Sequence, residues 1–279
     1  ILQEWNWTER FVGQDELWRY FRFVAEKLDL RRDIVFDTKV ERASFDEHRN
    51  VWVVETSDGT KAEANYLISC IGALVAAPQM PRIAGIESFV GEAYHTNAWP
   101  RDHVVSFEGK RVAVIGTGAT GVQIVQEVSK TAGHLTVFQR TPNYVLPMEG
   151  YRESFPADLQ WMFENFPLYW HWHSYGMHYL NAQLELLQEQ DPEWQSRGGV
   201  VNERNDSLRE TAVSYIKDVL ADRPDLIEKV TPSIPPMARR PTVDNGWFEA
   251  LKRDNVTLVT DPINHASPTG LVTNEGVLH

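Results

Sequence analysis

A glycine-rich loop is the part of the sequence whose residue types and spacing most clearly indicate chemistry. It reads Gly116-Thr117-Gly118-Ala119-Thr120-Gly121 and stands between a strand-like run and a helix-like run. Gly116 permits a tight turn, Gly118 lets the backbone approach a pyrophosphate, and Gly121 lets the helix pack close to the strand. The helix N-terminus adds free N–H groups and a positive dipole end. The pattern predicts a dinucleotide site; the alternative is a glycine-rich turn without a ligand.

A cation follows the next predicted strand, where a residue selects between the two nicotinamide dinucleotides. NAD sites usually carry an acidic residue near this point, because a carboxylate accepts a hydrogen bond from the ribose 2′-hydroxyl. This sequence instead has Arg140, followed by Thr141. A guanidinium suits a 2′-phosphate, whereas an aspartate would repel it. We therefore expect NADPH rather than NADH, the alternative being that Arg140 is a solvated cation at a strand end.

A β-α-β unit must position these residues. The glycine loop is flanked by a predicted strand of the buried type at 111–115 and a helix at 122–128, and a second strand at 134–138 precedes Arg140. Strands that alternate with helices indicate a parallel sheet. The predicted fold class is therefore α/β, with a Rossmann-like dinucleotide domain at 109–279.

A helical insertion interrupts that domain. Residues 150–235 are rich in aromatic side chains and carry no strand pattern, which indicates several helices. We expect the strongest of these at 207–220, closed by a turn at 222–225. A further helix is predicted at 244–253, and a strand follows at 256–259.

The first part of the chain, 1–85, predicts a helix followed by a small β-meander. Apolar residues at helical spacing indicate an amphipathic helix over 14–29. The predicted strands are 34–36, 51–54 and 66–69, with a turn at Ser57-Asp58-Gly59. A linker is predicted over 86–108, after Pro78, Pro81 and Gly85.

Composition restricts the partners. The net charge of −12 argues against nucleic acid or an anionic membrane as the main partner, because both require a basic face. Cys70 is the one cysteine, so the chain forms no intramolecular disulfide, which fits a reducing cytosol. The sequence has no apolar run of about 18 residues, the minimum for a transmembrane helix. We therefore expect a cytoplasmic protein that acts on small molecules.

A second motif, at 89–100, precedes the dinucleotide domain. From the residues alone, a core histidine at His95 and a packing tryptophan at Trp99 are the simpler interpretation. The spacing nevertheless resembles the fingerprint of type I Baeyer–Villiger monooxygenases, Phe-x-Gly-x-x-x-His-x-x-x-Trp-Pro. Every fixed position matches: Phe89, Gly91, His95, Trp99 and Pro100. The related amine- and sulfide-oxidising flavin monooxygenases share the first part but usually lack the Trp-Pro ending.

The resemblance covers nearly the whole chain. Residues 3–10 resemble the family's segment that leads out of its FAD-binding region, and residues 138–143 resemble its NADPH-binding strand end. Met237-Ala238-Arg239-Arg240-Pro241 resembles its basic pair. Residues 244–247 and 259–263 are similar to the branch of 4-hydroxyacetophenone monooxygenase, which acts on aryl ketones.

Family membership implies a flavoprotein with two dinucleotide-binding domains, which uses FAD, NADPH and O2 to convert a ketone into an ester or lactone. Residues 1–85 would then be part of the FAD-binding domain. Arg240 would be the catalytic arginine beside the flavin, where it holds the nicotinamide and stabilises negative charge that develops during oxygen insertion. His95 and Trp99 would couple the domains as NADPH shifts position. The implied cofactor-binding residues are Gly116, Thr117, Gly118, Ala119, Thr120, Gly121, Gln123, Arg140, Thr141, Arg239 and Val40.

Two of these assignments depend on the resemblance. Arg239 would bind the 2′-phosphate, although a lysine is commoner there, and from the residues alone Arg239-Arg240 is equally a solvated pair. Val40 would contact the FAD adenine through its backbone, whereas a single aliphatic residue in a strand usually belongs to the core.

The chain departs from the family in one respect. It contains one glycine loop of this type, whereas the family has two, the first of which holds FAD. We therefore expect an internal piece of the enzyme that binds FAD poorly and turns over little by itself. An absorbance spectrum of the purified chain tests this expectation, since stoichiometric bound flavin would contradict it. The rival functions are an enzyme that oxidises nitrogen or sulfur and a non-catalytic dinucleotide-binding module.

A dense aromatic cluster lies in the predicted insertion. It comprises Tyr169, Trp170, His171, Trp172, His173, Tyr175, His178 and Tyr179. Its histidines have no cysteine or carboxylate at ligand spacing, so we expect no metal site. We predict an aromatic helix face packed on the sheet, the alternative being the lining of a substrate tunnel for an aromatic ketone.

Overall fold

The computed structural model describes residues 4–72, 80–148, 150–151 and 153–279. The chain divides into two compact units, Ile1–Ala77 and Pro78–His279. The division falls earlier than the boundary predicted at residue 85, because Ala84 already pairs with the second unit, where Ala266 N donates to Ala84 O at 2.7 Å. Pro78, which was predicted to mark the start of the linker region, lies outside the described residues.

The first unit consists of a helix and an antiparallel meander, as predicted, but two of its strands lie elsewhere. Helix α1 spans Gln14–Lys27, and the strands are β1 Val40–Asp46, β2 Val51–Thr56 and β3 Lys61–Ala64. They hydrogen-bond in the order β1-β2-β3. The turn after β2 is confirmed, with Gly59 at φ +85°.

The strands predicted at 34–36 and 66–69 are wrong. Residues 34–36 have no strand partner and stay exposed, and Asp37 leaves them in the left-handed region at φ +52°. The turn at 57–60 fixes the register of the hairpin, so that Lys61 pairs with Glu55 and the polar run Lys61–Ala64 becomes the third strand. Pairing geometry overrides the apolar composition on which the prediction depended.

A parallel sheet carries the second unit, as predicted. Its strands are β4 Arg111–Ile115, β5 His134–Phe138 and β8 Val256–Val259, in the order β4-β5-β8. Helix α2, Ala119–Val128, connects β4 to β5. The predicted buried character holds for β5 but not for β4, which has a sheet neighbour on one side only and is alternately exposed and half-buried.

Two smaller strand pairs complete the second unit. Strands β6, Val145–Leu146, and β7, Thr242–Val243, run parallel to each other. Strands β9, Ile263–Ser267, and β10, Gly270–Thr273, form an antiparallel hairpin.

The insertion is helical, as predicted, with shifted boundaries. Its helices are α3 Ala157–Asn165, α4 Tyr169–Ala182, α5 Pro192–Ser196, α6 Glu203–Val219 and α7 Pro224–Val230. Helix α6 begins before the predicted residue 207 because the Asn202 side chain caps it, accepting a hydrogen bond from Asn205 N at 2.8 Å. The predicted closing turn at 222–225 partly belongs to α7, since Pro224 occupies its first turn.

The last helix, α8, spans only Trp247–Leu251 of the predicted 244–253. Gly246 precedes it at φ +103°, and Asp244 Oδ1 accepts from the amides of Gly246 and Trp247, each at 2.8 Å. The residues before Trp247 therefore form a cap and not a helical turn.

The main core lies between the parallel sheet and these helices. Fully buried apolar side chains come from α2, β5, α6 and α8: Val125, Leu135, Val137, Ile216, Leu220, Phe248 and Leu251. Burial of each of these side chains stabilises the folded state by about 2 kcal/mol relative to an exposed position. This core holds the loop after β4 and the end of β5 in place.

Candidate functional site

The glycine loop lies at the carboxyl end of β4, and its three glycines meet different requirements. Gly116 has φ +100°, a conformation that side chains other than glycine rarely adopt. A Cβ atom on Gly121 would lie 2.2 Å from the Gly116 carbonyl oxygen, so close packing requires glycine there. A Cβ on Gly118 would meet no atom within 4 Å of the described structure, and its φ of −75° is open to any residue. The fold itself therefore does not require Gly118, and the open space beside it fits a pyrophosphate.

The start of α2 offers hydrogen-bond donors to this space. The first bond of the helix ladder runs from Val122 N to Gly118 O at 3.0 Å, so the preceding amides, which include those of Ala119 and Thr120, have no role in the ladder. Within the loop Thr117 is buried, whereas Gln123 is exposed on α2. Free amides at the positive end of a helix dipole suit an anion.

Arg140 lies beside the loop because β4 and β5 are in register. Ile115 pairs with Phe138, and Gly116 N donates to Phe138 O at 3.0 Å. Arg140 follows two residues later and is exposed, and Thr141 is half-buried. Buried Gln139, which the sequence interpretation missed, anchors this strand end through Nε2, which donates to Lys229 O at 2.7 Å.

The segment that carries Arg239 and Arg240 runs alongside the segment that follows Arg140. Strands β6 and β7 pair in parallel, and Thr242 N donates to Tyr144 O at 2.8 Å. One step upstream, Asn143 Nδ2 donates to the backbone oxygen of Arg240 at 2.9 Å. The structure thus brings together two predicted site segments that are 97 residues apart in sequence.

Two buried side chains anchor the segment that precedes Arg239 and Arg240. Tyr144 Oη donates to Ile234 O at 2.7 Å, and Asn205 Nδ2 donates to Pro236 O at 2.9 Å. Between these anchors and Arg240, Met237 adopts φ +66°. A side chain in the left-handed region costs free energy and persists where the surroundings impose it. The path of the chain into Arg239-Arg240 is therefore determined by Asn205 of α6 and by Tyr144, which directly precedes β6.

The far end of the segment is held by a phenol–carboxylate pair. Tyr215 Oη, on α6, donates to Asp244 Oδ2 at 2.7 Å, while the other oxygen of Asp244 caps α8. Burial raises the pKa of Tyr215, and its bond to Asp244 raises it further. The tyrosine therefore stays protonated as the donor. Nothing in the local sequence indicated this pair.

Three arginines are exposed around this edge of the sheet: Arg140, Arg239 and Arg240. Within the part of the chain that the structure describes, none of them forms an ion pair with a carboxylate. Their guanidinium groups are available to an anionic ligand, and a guanidinium binds phosphate oxygens in a bidentate manner. Together with the open space at Gly118, the residues fit a phosphorylated dinucleotide.

The fingerprint motif forms a compact turn in the second unit. A Cβ on Gly91 would lie 2.5 Å from the ring of Phe89, so the aromatic ring explains the glycine two residues later. His95 Nδ1 accepts from Asn97 N at 3.1 Å and caps a short 3₁₀ turn. Trp99 lies between the rings of Tyr94 and Phe107, at centroid distances of 5.5 and 6.2 Å. Pro100 is half-buried.

This turn is fastened to the start of β4. Lys110 Nζ lies 2.7 Å from Glu92 Oε2, and this contact lowers the pKa of the Glu92 carboxyl and raises that of Lys110. Val90 N donates to Pro268 O at 3.1 Å, between β9 and β10. His95 is therefore half-buried as a turn cap and not a core histidine. Its role in domain coupling stays a prediction.

The remaining predicted features lie apart from this edge. Val40 begins β1 in the first unit and is exposed, so the interpretation of it as a core residue is wrong and its FAD contact stays a prediction. The aromatic cluster forms α4, whose inner face packs on α3 through Phe163 and Trp170, with ring centroids 4.8 Å apart. The packing partner we identify is thus a helix and not the predicted sheet, and Trp172 stays exposed.

The described residues contain no group of three His, Cys, Asp or Glu side chains that could hold a metal ion. None of their helices is both long and apolar enough to cross a membrane.

Known proteins share this arrangement. The model of the flavin-binding monooxygenase-like family matches residues 6–167. A Baeyer-Villiger monooxygenase of Pseudooceanicola batsensis is 33% identical, over 100% of this chain and 55% of its own length. The acetone monooxygenase (methyl acetate-forming) of Gordonia sp. is 33% identical, over 100% of this chain and 56% of its own. The crystal structure of OTEMO in complex with FAD and NADP aligns with a TM-score of 0.79 and 29% identity, over 100% of this chain and 56% of that one.

These comparisons confirm the predicted fold class, a Rossmann-like domain with a helical insertion joined to part of a second dinucleotide-binding domain. The chain spans about half the length of the curated relatives it matches. The 4-hydroxyacetophenone subgroup stays a prediction. Because the family model matches more than half of its residues, the chain belongs to the flavin-binding monooxygenase-like family.

Proposed function

We propose that this chain is the NADPH-binding part of an FAD-dependent monooxygenase of the Baeyer–Villiger type. In the overall reaction, a ketone, O2, NADPH and a proton give an ester or lactone, NADP⁺ and water. The proposal extends to this chain what its relatives' names state, including the formation of methyl acetate by the Gordonia enzyme.

One observation carries the proposal: the Arg240 segment lies alongside the segment that follows Arg140, joined by Asn143 and by the β6–β7 ladder. A dinucleotide whose 2′-phosphate binds Arg140 and whose pyrophosphate binds at Gly118 would lie along the carboxyl edge of the sheet. Its nicotinamide end would be directed toward the Arg240 segment. A fixed guanidinium there would stabilise oxyanionic charge with little reorganisation.

FAD, NADPH and the residues of this chain would have different roles in the reaction. FAD, when bound, supplies the redox chemistry with oxygen, and NADPH supplies the hydride. This chain's own residues would bind the dinucleotide, orient it and provide cationic charge. Arg239 would share the 2′-phosphate with Arg140, since both guanidinium groups are exposed and form no ion pair with a described carboxylate.

The reaction is tested with the product of the complete open reading frame that encodes this chain. It is incubated with NADPH, ¹⁸O₂ and a panel of aliphatic, cyclic and aromatic ketones, with a sulfide in parallel. One ¹⁸O atom in an ester or lactone supports the proposal. Sulfoxide formation without any ester would identify the enzyme that oxidises sulfur or nitrogen. NADPH binding without oxidation of any substrate would identify a non-catalytic module.

The class of ketone is a finer proposal. We include aromatic ketones because residues 244–247 and 259–263 resemble the aryl-ketone branch. A higher kcat/KM for acetophenones than for cyclic aliphatic ketones supports that assignment, and the opposite order contradicts it.

Arg140→Ala should selectively weaken the binding of NADPH. Loss of the charge-assisted contact to the 2′-phosphate is expected to raise the Kd for NADPH about 10- to 100-fold. The Kd for NADH should change less than about threefold, because NADH lacks that phosphate. Isothermal titration of the 279-residue chain measures both constants. Equal effects on the two dinucleotides would identify Arg140 as a general contributor and not as the 2′-phosphate ligand.

A further inference from the structure

The amide side chain of Asn143 joins two parts of the candidate site that have different tasks. It stands three residues after Arg140, and its partner is the backbone of Arg240. It ends the segment 138–143 that resembles the family's NADPH-binding strand end, but the sequence assigned it no role of its own. The geometry points to Asn143 as a positioning residue, which couples the phosphate-binding strand end to the active-site arginine. This inference rests on the function proposed for Arg240.

Both polar atoms of the Asn143 side chain are engaged. Oδ1 accepts from Tyr144 N at 3.0 Å, which orients the side chain, and Nδ2 donates to Arg240 O at 2.9 Å. The hydrogen bond fixes the direction of the Arg240 carbonyl, and the direction of that carbonyl sets the orientation of the backbone on either side of it. The bond from Asn143 Nδ2 therefore restrains the backbone of Arg240, from which the guanidinium side chain extends.

The bond from Asn143 to Arg240 stands at the upstream end of a series of hydrogen bonds between the two segments. Downstream of it, Thr242 N donates to Tyr144 O and Asp244 N donates to Leu146 O, each at 2.8 Å. These ladder bonds hold the residues after Arg240. In this parallel ladder the next donor to the Arg240 carbonyl would be Tyr144 N, but that amide donates to Asn143 Oδ1, and Asn143 Nδ2 supplies the bond to Arg240 O in its place. Without it, the backbone at Arg240 loses the contact that ties it to the Arg140 segment.

The coupling has a physical consequence. When a phosphate binds Arg140, it restrains the strand end at 140–143, and Asn143 transmits that restraint to Arg240. A ligand that rigidifies one segment lowers the cost of ordering the other, provided that the two are joined. Binding of the dinucleotide should therefore order residues 237–246, although the phosphate itself need not contact all of them.

The decisive variant is Asn143→Asp, since it is nearly isosteric and keeps the acceptor for Tyr144 N. It replaces the donor that faces the Arg240 carbonyl with a second acceptor. Asn143→Ala removes the donor without adding charge and therefore separates the effect of the bond from that of the charge. Asn165 offers a matched control, because its Nδ2 also donates to a backbone oxygen, that of Trp161 at 2.9 Å within α3. Asn165→Asp and Asn165→Ala reproduce both changes away from the site.

The first readout needs no turnover. Hydrogen–deuterium exchange is followed on the 279-residue chain with and without NADPH, in peptides that cover 237–246 and 157–165. In the wild type, NADPH should slow exchange in 237–246 severalfold. In both Asn143 variants that protection should fall about fivefold, the value of one hydrogen bond, while the Asn165 variants keep it. Unchanged protection in the Asn143 variants would overturn the inference.

The second readout is kinetic and uses the complete gene product. Both Asn143 variants should lower kcat for ester formation about fivefold, with a smaller change in the KM for the ketone. In an Arg240→Ala background the same substitutions should have no further effect, because the residue acts through Arg240. An equal loss in both backgrounds would assign Asn143 a merely structural role and overturn the inference.

The two readouts separate this inference from the proposed function. If the wild type forms no ester yet NADPH protects 237–246 only when Asn143 is present, the reaction is wrong and the coupling holds. If ester forms and the Asn143 variants match the Asn165 controls in both readouts, the reaction holds and the coupling is wrong.

Discussion

Arg240→Ala is expected to lower the rate of ester formation by about 100- to 1000-fold in the complete enzyme. A fixed cation that faces developing oxyanionic charge acts mainly in the transition state, so the loss should appear in kcat more than in the KM for the ketone. Arg240→Lys keeps a charge but loses the planar fork of donors, and we expect it to recover only part of the rate. Ester formation by gas chromatography and NADPH oxidation are measured together.

Arg253 provides the control for this substitution. It is also exposed, and it lies between α8 and β8 with no assigned role at the site. Arg253→Ala should retain the wild-type rate within about twofold, as an ordinary surface substitution does. Both variants should keep the wild-type melting temperature, because the Arg240 side chain forms no ion pair with a described carboxylate. A rate within threefold of wild type for Arg240→Ala would remove Arg240 from the catalytic machinery.

The second large effect concerns the glycine loop, where two substitutions of the same size should behave differently. Gly118→Ala places its methyl group in open space at an allowed φ, so the melting temperature should not change. The methyl group would occupy the space assigned to the pyrophosphate. We expect the Kd for NADPH to rise about 10- to 100-fold through loss of charge-assisted hydrogen bonds.

Gly121→Ala should instead lose both stability and binding, since its Cβ would lie 2.2 Å from the Gly116 carbonyl oxygen. Relief of that contact must move the loop or α2, at a cost of about 1–3 kcal/mol. Gly13→Ala is the control, because Gly13, like Gly118, precedes a helix as its N-cap, has φ −71° and has open space where a Cβ would lie. Calorimetry and titration with NADPH measure the two effects separately. If Gly118→Ala binds NADPH normally, the open space beside the loop does not hold the pyrophosphate.

Much of the local structure of the candidate dinucleotide site could be predicted, because it depends on neighbouring residues. The glycine loop occupies six consecutive residues, and the flanking runs of apolar residues identify the β-α-β unit on their own. Arg140 follows the end of β5 by two residues, so its place in the fold depends on that one strand. The parallel register of β4 and β5 then brings it beside the loop. Composition was a weaker guide in the meander, where the turn at 57–60 made the polar run Lys61–Ala64 a strand in preference to the apolar residues 66–69.

The sequence by itself determined the local elements of the candidate site, because a tight turn, a helix start and a strand end follow from neighbouring residues. Only the tertiary structure decided which segments meet at that site. Asn143 and Arg240 are 97 residues apart, Tyr144 and Ile234 are 90 apart, and Asn205 and Pro236 are 31 apart. Contacts of this kind depend on how α6 and the β6–β7 pair pack, and no local spacing or periodicity encodes them. The candidate dinucleotide loop is therefore determined by adjacent residues, whereas the pairing that brings the Arg240 segment alongside the segment after Arg140 arises only from folding.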